Sequence, residues 1–270
     1  LLELAHNMTT SLTYRNNLEV SACIDEHHDN IDESIDLIRA TGFKSASILN
    51  INGLSLTSLP DITIERIKKR LSDMPINVIR IELGHGKTIA PKDIDKELSI
   101  ASYFKAKAIQ IGIEKSSFLD KASFDDFISR LSSFAVSMSL VPILEMTDHM
   151  FIDTPADLDK FLSSHKRIKL SYDPCRFMER SNKNPHERWF EPLKTSVYSI
   201  IARDFKTGSG FYPIGQGATN IVKAIDEHIL NGGRYAIFRP SLGRRYGSTV
   251  GKKETFKLAL EVFNNLFRSI

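Results

Sequence analysis

The sequence predicts a closed barrel of eight parallel strands, each followed by a helix, built as one α/β domain. Three observations carry that expectation. Strand and helix signals alternate from one end of the chain to the other, with short linkers and no compositional break. The length, 270 residues, is close to the ~250 residues typical of such a barrel. Two mid-chain apolar runs also stop on carboxylates, Val141-Pro142-Ile143-Leu144 on Glu145 and Ile168-Lys169-Leu170-Ser171-Tyr172 on Asp173. The mouth of a β/α barrel is built from the C-terminal ends of its strands, so acids at those ends mark an active-site face. The domain is expected to span 1–270, with 1–17 as an N-terminal extension.

Each element follows from pattern. Residues 18–24 read as the first strand, and 31–40 as an amphipathic helix with Ile31, Ile35, Leu37 and Ile38 as its apolar residues, stopped by Gly42. The second strand is 45–51 and the second helix 62–71. Pro75 opens the third strand, 76–83. A helix over 91–104, a strand over 108–113 and a helix over 124–138 follow, and the fifth strand ends at Glu145. Thr154 before Pro155 is an N-cap followed by proline at the first helical position, which sets a helix running to about Ser164. The sixth strand ends at Asp173, and a polar connection over 175–191 leads to the seventh strand, 197–202. A helix over 218–230 is ended by Gly232-Gly233, the eighth strand is 234–239, and an apolar-striped helix over 253–267 closes the chain.

Composition narrows the functional classes. The chain is 41% hydrophobic and 26% charged with a formal net charge of +3, too small a balance to imply a nucleic-acid partner. Two cysteines, Cys23 and Cys175, form no metal-type pair or disulfide framework, which fits a reducing, cytoplasmic compartment. No run of ~18 apolar residues predicts a membrane span, and the first residues lack the basic and apolar regions of a secretory signal. The chain does not begin with methionine, so a preceding segment is compatible with it.

Four further segments carry a resemblance: Leu140 to Glu145, Tyr172-Asp173-Pro174, Arg203-Asp204 followed by Pro213-Ile214-Gly215-Gln216-Gly217, and Arg239-Pro240 after an apolar strand. Together they resemble the xylose-isomerase-like TIM-barrel superfamily, which includes sugar phosphate isomerases and epimerases, dehydratases and repair enzymes of the family 2 AP endonuclease (endonuclease IV) type. The resemblance implies a divalent metal (Mn, Mg, Co or Zn) held by Glu, Asp, His and Glu from the fifth to eighth strands, polarising a sugar carbonyl or hydroxyl. Glu145 and Asp173 match the first two ligands. Ile201 and Arg239 stand at the other two positions, and Arg176 replaces a histidine often found after the strand-six aspartate.

Charge makes the replacement readable. Two carboxylates with Arg239 carry the same net charge as three carboxylates with a dication, and a permanently protonated arginine repels an incoming ion. The expectation is therefore a degenerate metal site that works without a cofactor, with Glu145, Asp173 and Arg239 as catalytic residues. A divalent metal on Glu145 and Asp173 is one alternative, and a buried ion network of the two acids with Arg239 that only holds the barrel mouth is another. Glu145 is the first candidate for an acid/base group. His85, between Gly84 and Gly86, and Arg176, Arg203 and Lys206 are candidate substrate-binding residues; Arg244-Arg245 read equally well as solvated loop charge, and Asp148-His149 reads more readily as a surface or capping pair than as a catalyst. Gly208 to Gly210 and Gly215 to Gly217 could bring backbone N–H groups to an anion.

The implied function is a sugar isomerase or epimerase acting on, or binding, a small polyhydroxylated substrate: a sugar, a sugar phosphate or a sugar acid. The alternative is a non-catalytic carbohydrate- or metabolite-binding regulatory barrel. An endonuclease reading lacks the histidine-rich metal cluster it needs. Neither nucleic acid nor membrane is an expected partner, and a homo-oligomer is compatible with the class.

Overall fold

A computed structural model describes residues 17–23, 31–48, 51, 54, 56–73, 76–83, 94–111, 120–145, 152, 154–181, 185–240 and 252–267. In chain order its elements are β1 (Glu19–Cys23), α1 (Ile31–Thr41), β2 (Ser45–Ile48), α2 (Asp61–Ser72), β3 (Asn77–Leu83), α3 (Ile94–Tyr103), β4 (Ala108–Ile111), α4 (Lys121–Ser137), β5 (Val141–Glu145), α5 (Pro155–Ser164), β6 (Lys169–Tyr172), α6 (Pro174–Ser181), β7 (Val197–Ala202), β8 (Asp204–Lys206), β9 (Gly210–Tyr212), α7 (Ile221–Leu230), β10 (Tyr235–Phe238) and α8 (Lys252–Phe267). Eight parallel strands close in the order β1-β10-β7-β6-β5-β4-β3-β2, the predicted (β/α)8 topology, while β8 and β9 form a separate antiparallel pair. The chain divides into two compact units, Ser21–Ser171 and Leu1–Val20 with Tyr172–Ile270.

Within Ser21–Ser171 the helices bury one stripe each. Ile64, Ile67 and Leu71 do so on α2, and Phe124, Phe127, Ile128, Leu131 and Ala135 on α4, the three- and four-residue spacing of a helix face. Asp120 caps α4 reciprocally with Ser123, and the Thr154 hydroxyl accepts from the Asp157 N–H ahead of Pro155. The strands alternate. Ala22, Ala46, Val78, Ile109 and Leu144 are buried on one side, and a polar set including Ser21, Ser47, Arg80, Gln110 and Glu145 is buried on the other.

A register shift sets the position of Arg80. Ala46 pairs with Val78 but Ser47 pairs with Arg80, which leaves Ile79 as the extra residue of a bulge. Because side chains alternate with period two, Arg80 would otherwise face the apolar side with Ile48.

In the unit Leu1–Val20 with Tyr172–Ile270, β7 and β10 pair in register from Ser199 and Tyr235 to Ala202 and Phe238. Phe256 and Phe263 of α8 pack on Phe238 at centroid distances of 5.3 and 5.2 Å. The polar connection expected over 175–191 is a correction: it contains α6, then a π-helical turn (His186–Phe190). Its charges mask a buried aromatic set in which Tyr172 and Phe190 flank one another and Phe177 stacks on Tyr172 and Trp189. Helix α7 begins at Ile221 rather than 218, because 218–220 belong to the preceding turn. Cys23 and Cys175 are buried and in no disulfide, and among the described residues no helix is long and apolar enough to cross a membrane.

Candidate active site

Glu145 closes β5 as predicted and is 5% exposed. Its partner is one that sequence reasoning missed. Arg80, fully buried on β3, lies 3.5 Å from Glu145 Oε2 through Nη1; the same nitrogen donates to Gln110 Oε1 and, at 3.3 Å, to Ser171 Oγ. The signal was present: Arg80 stands between isoleucines and Gln110 interrupts an otherwise apolar strand, and a charge inside a parallel strand must face a polar interior or disrupt the core.

Asp173 lies immediately after β6 and is 1% exposed. Arg203, following β7, grips it bidentately, with Nε donating to Oδ1 at 3.0 Å and Nη2 to Oδ2. The backbone N–H of Cys175 adds a bond to Oδ1 at 3.1 Å. Burial pushes the Asp173 carboxyl up, but the Arg203 charge and hydrogen bonds, joined by the charges of Arg176 and Arg239, outweigh it and hold the group below the ordinary carboxylate value. Burial likewise opposes the charge on Arg203, and Asp173 more than compensates, so the guanidinium stays protonated.

The other expected residues divide. Ile201 is fully buried on β7, beside Ile237 of β10. Arg239, just past β10, is half-buried and acts through its charge on both Asp173 and Arg203, with its N–H donating to Ala202 O at 3.4 Å. Arg176 is half-buried on α6, and Lys206 is exposed at the end of β8. His85, Asp148, His149, Arg244 and Arg245 lie outside the described residues. The family's donor set is not reproduced at these positions. Ile201 offers no donor, arginine has no acceptor atom, and both Asp173 oxygens already accept from Arg203. These residues do not fit a divalent ion held in the family's manner.

The glycine turn after the seventh barrel strand serves the fold. Asp204 accepts from the N–H groups of Phe205 (2.9 Å), Gly215 (3.0 Å), Gly217 (2.9 Å) and Thr219 (3.2 Å), and from the Thr219 hydroxyl (2.7 Å). The expectation that Gly215 and Gly217 present N–H groups to an anion is thereby corrected: the anion they meet is Asp204. A Cβ on Gly217 would collide with that carboxylate, and Gly215 has a φ of +80° that disfavours other residues.

Among the described residues, His186, Glu191 and Glu227 bring three potential metal-donor atoms within 4.8 Å of one another. His186 Nε2 is 2.9 Å from Glu227 Oε2 and 3.9 Å from Glu191 Oε1, while Lys194 and Lys223 lie 2.9 and 3.7 Å from the other oxygens of Glu191 and Glu227. Two lysines balance two carboxylates, so the group reads as an ion-pair cluster tying the π-turn to α7.

Comparison with known proteins places the fold. No protein-family model and no curated protein matches the chain. Solved structures match over most of its length. The probable 3-DHS dehydratase AsbF of Bacillus anthracis, involved in petrobactin synthesis, superposes with a TM-score of 0.71 at 15% identity, covering 93% of this chain and 100% of that one. A xylose isomerase-like TIM barrel protein of Mycobacterium smegmatis, in complex with magnesium, gives 0.63 at 17% identity, covering 94% and 99%. The 3-keto-D-glucoside 4-epimerase YcjR of E. coli gives 0.65 at 14% identity, covering 90% and 98%. The fold is that of the xylose-isomerase-like TIM barrels.

Proposed function

We propose that this chain is a sugar-modifying enzyme of the isomerase and epimerase kind, acting on a small polyhydroxylated, anionic substrate with buried arginines in place of a metal ion. The observation that carries the reading is the pairing of each family carboxylate with its own buried guanidinium, Glu145 with Arg80 and Asp173 with Arg203. Neighbours of the same fold named as an epimerase and a dehydratase support the substrate class. The charges of Arg176 and Arg239, which act on Asp173, favour an anionic ligand, a sugar phosphate or sugar acid.

In this reading Glu145 takes the proton from the carbon beside a substrate carbonyl. The C–H bond breaks, an O–H bond forms on the carboxylate, and the electron pair moves to the carbonyl oxygen. A fixed guanidinium then stabilises the resulting enediolate, since preorganised positive charge in a dry site is worth most where charge develops. Return of the proton from Glu145 to the neighbouring carbon, with the enediolate's hydroxyl proton passing to the former carbonyl oxygen, gives the isomer. Delivery of a proton from water to the opposite face of the first carbon gives the epimer.

Incubation with ketohexoses, their phosphates and ketohexonates in deuterated water, followed by proton NMR, tests the proposal. Exchange at the carbon beside the carbonyl, lost in Glu145→Gln, is the expected result. Binding without exchange would support the regulatory, non-catalytic alternative, which the immobilised Asp173 and the aliphatic Ile201 favour.

A further inference from the structure

The side of the Ser21–Ser171 sheet that carries Arg80 departs from ordinary barrel packing. Barrel interiors are normally filled by bulky branched side chains. Here the positions level with Arg80 on the two neighbouring strands are Ser47 and Ala108, and Ser21, Ser45 and Ser171 lie on the same side of the sheet, all buried, with Ile143 the bulky aliphatic residue among them. The Ser21 and Ser47 hydroxyls bond one another at 2.8 Å. The two direct strand neighbours of this cation are therefore small.

The guanidinium is itself only half used. Nη1 serves Gln110, Ser171 and Glu145, whereas Nε and Nη2 find no hydrogen-bond acceptor among the described residues. Those two nitrogens form the planar side-on edge of arginine, the edge that matches a carboxylate with two parallel hydrogen bonds. Arg203 uses the same pair of atoms to hold Asp173. Leaving such an edge buried and unmade is costly, a cost that an oxyanion seated on it would offset.

We propose that the Nε–Nη2 edge of Arg80 is a buried carboxylate-binding subsite, which makes the ligand a small hydroxy acid whose carbon chain lies beside Glu145. The inference rests on reading the surroundings of Glu145 as a ligand site, and it names the substrate class of that site. Arginine's fork, unlike a lysine ammonium, reads the plane of the carboxylate, so charge alone does not suffice.

The experiment is a thermal-shift and calorimetric titration of the full chain with gluconate, glucose, glucose 6-phosphate and succinate, on wild type, Arg80→Lys and Arg80→Met. Gluconate is expected to bind and to shift the Arg80 Nε–H resonance of 15N-labelled wild-type protein. Arg80→Lys is expected to weaken gluconate by roughly 10- to 100-fold, the range for hydrogen bonds to a charged group. Equal binding of glucose and gluconate, tighter binding of glucose 6-phosphate, or unchanged gluconate affinity in Arg80→Lys would overturn the subsite while leaving the sugar-modifying reading in place. Succinate binding through Arg80 without gluconate binding would uphold the subsite and overturn the polyhydroxylated substrate. No response to any of the four overturns both. Should the variants fail to fold, the wild-type ligand comparison and the Nε–H resonance still decide.

Discussion

Two buried groups, His228 and Asp173, contribute to how stability responds to acid, in separate pH windows. Burial lowers the His228 pKa from 6.5 to about 4, so between those values the unfolded chain binds a proton that the folded chain refuses. Stability should therefore fall as pH drops from 6.5 towards 4, by up to about 3 kcal/mol from this group alone. His228→Gln should flatten that limb in urea titrations run across the window. Asp173 has a folded pKa depressed below 3.8, so its contribution is fully present above that value and is lost as pH falls through the folded pKa. At neutral pH, Asp173→Ala strands Arg203, and breaking a buried pair costs on the order of 3–5 kcal/mol. A chemical-denaturation midpoint unchanged in Asp173→Ala would contradict the pairing. Glu145 and Asp173 were legible from strand-terminal acids. Their partners were not: Arg80 faces Glu145 only because Ile79 is bulged out, and Arg203 meets Asp173 across 30 positions of sequence.

The turn from β8 to α7 shows how an element depends on one carboxylate. Asp204 organises it with five accepted hydrogen bonds, so Asp204→Asn, which turns one acceptor into a donor facing N–H groups, should lower the melting temperature sharply. Gly217→Ala should cost about 1–3 kcal/mol through overpacking against Asp204, measurable as a lowered denaturation midpoint with an unchanged slope. The sequence pattern marked this turn but not its purpose, because glycines that approach a ligand and glycines that approach a carboxylate of their own chain look alike. The β8–β9 pair escaped notice for a related reason: three-residue strands around Gly208 to Gly210 are too short to show alternation. Helix α6 and the π-turn were hidden by charge, since Arg176 and Arg188 punctuate a segment whose burial rests on Phe177, Trp189 and Phe190.

At the scale of the whole molecule, alternating periodicity was enough to order eight βα units, because parallel strands buried on both sides and striped helices leave different repeats. Function is less legible, since this fold hosts many chemistries and the site alone discriminates among them. The central claim is that arginines, not a divalent ion, neutralise the carboxylates at positions 145 and 173. Elemental analysis of purified wild type, Glu145→Gln and Asp173→Asn tests it most directly, because any ion held elsewhere, including at His186, would be indifferent to those two changes. The account predicts the same divalent metal content in all three proteins. One manganese, magnesium, cobalt or zinc ion per chain in wild type, lost on either substitution, would contradict it.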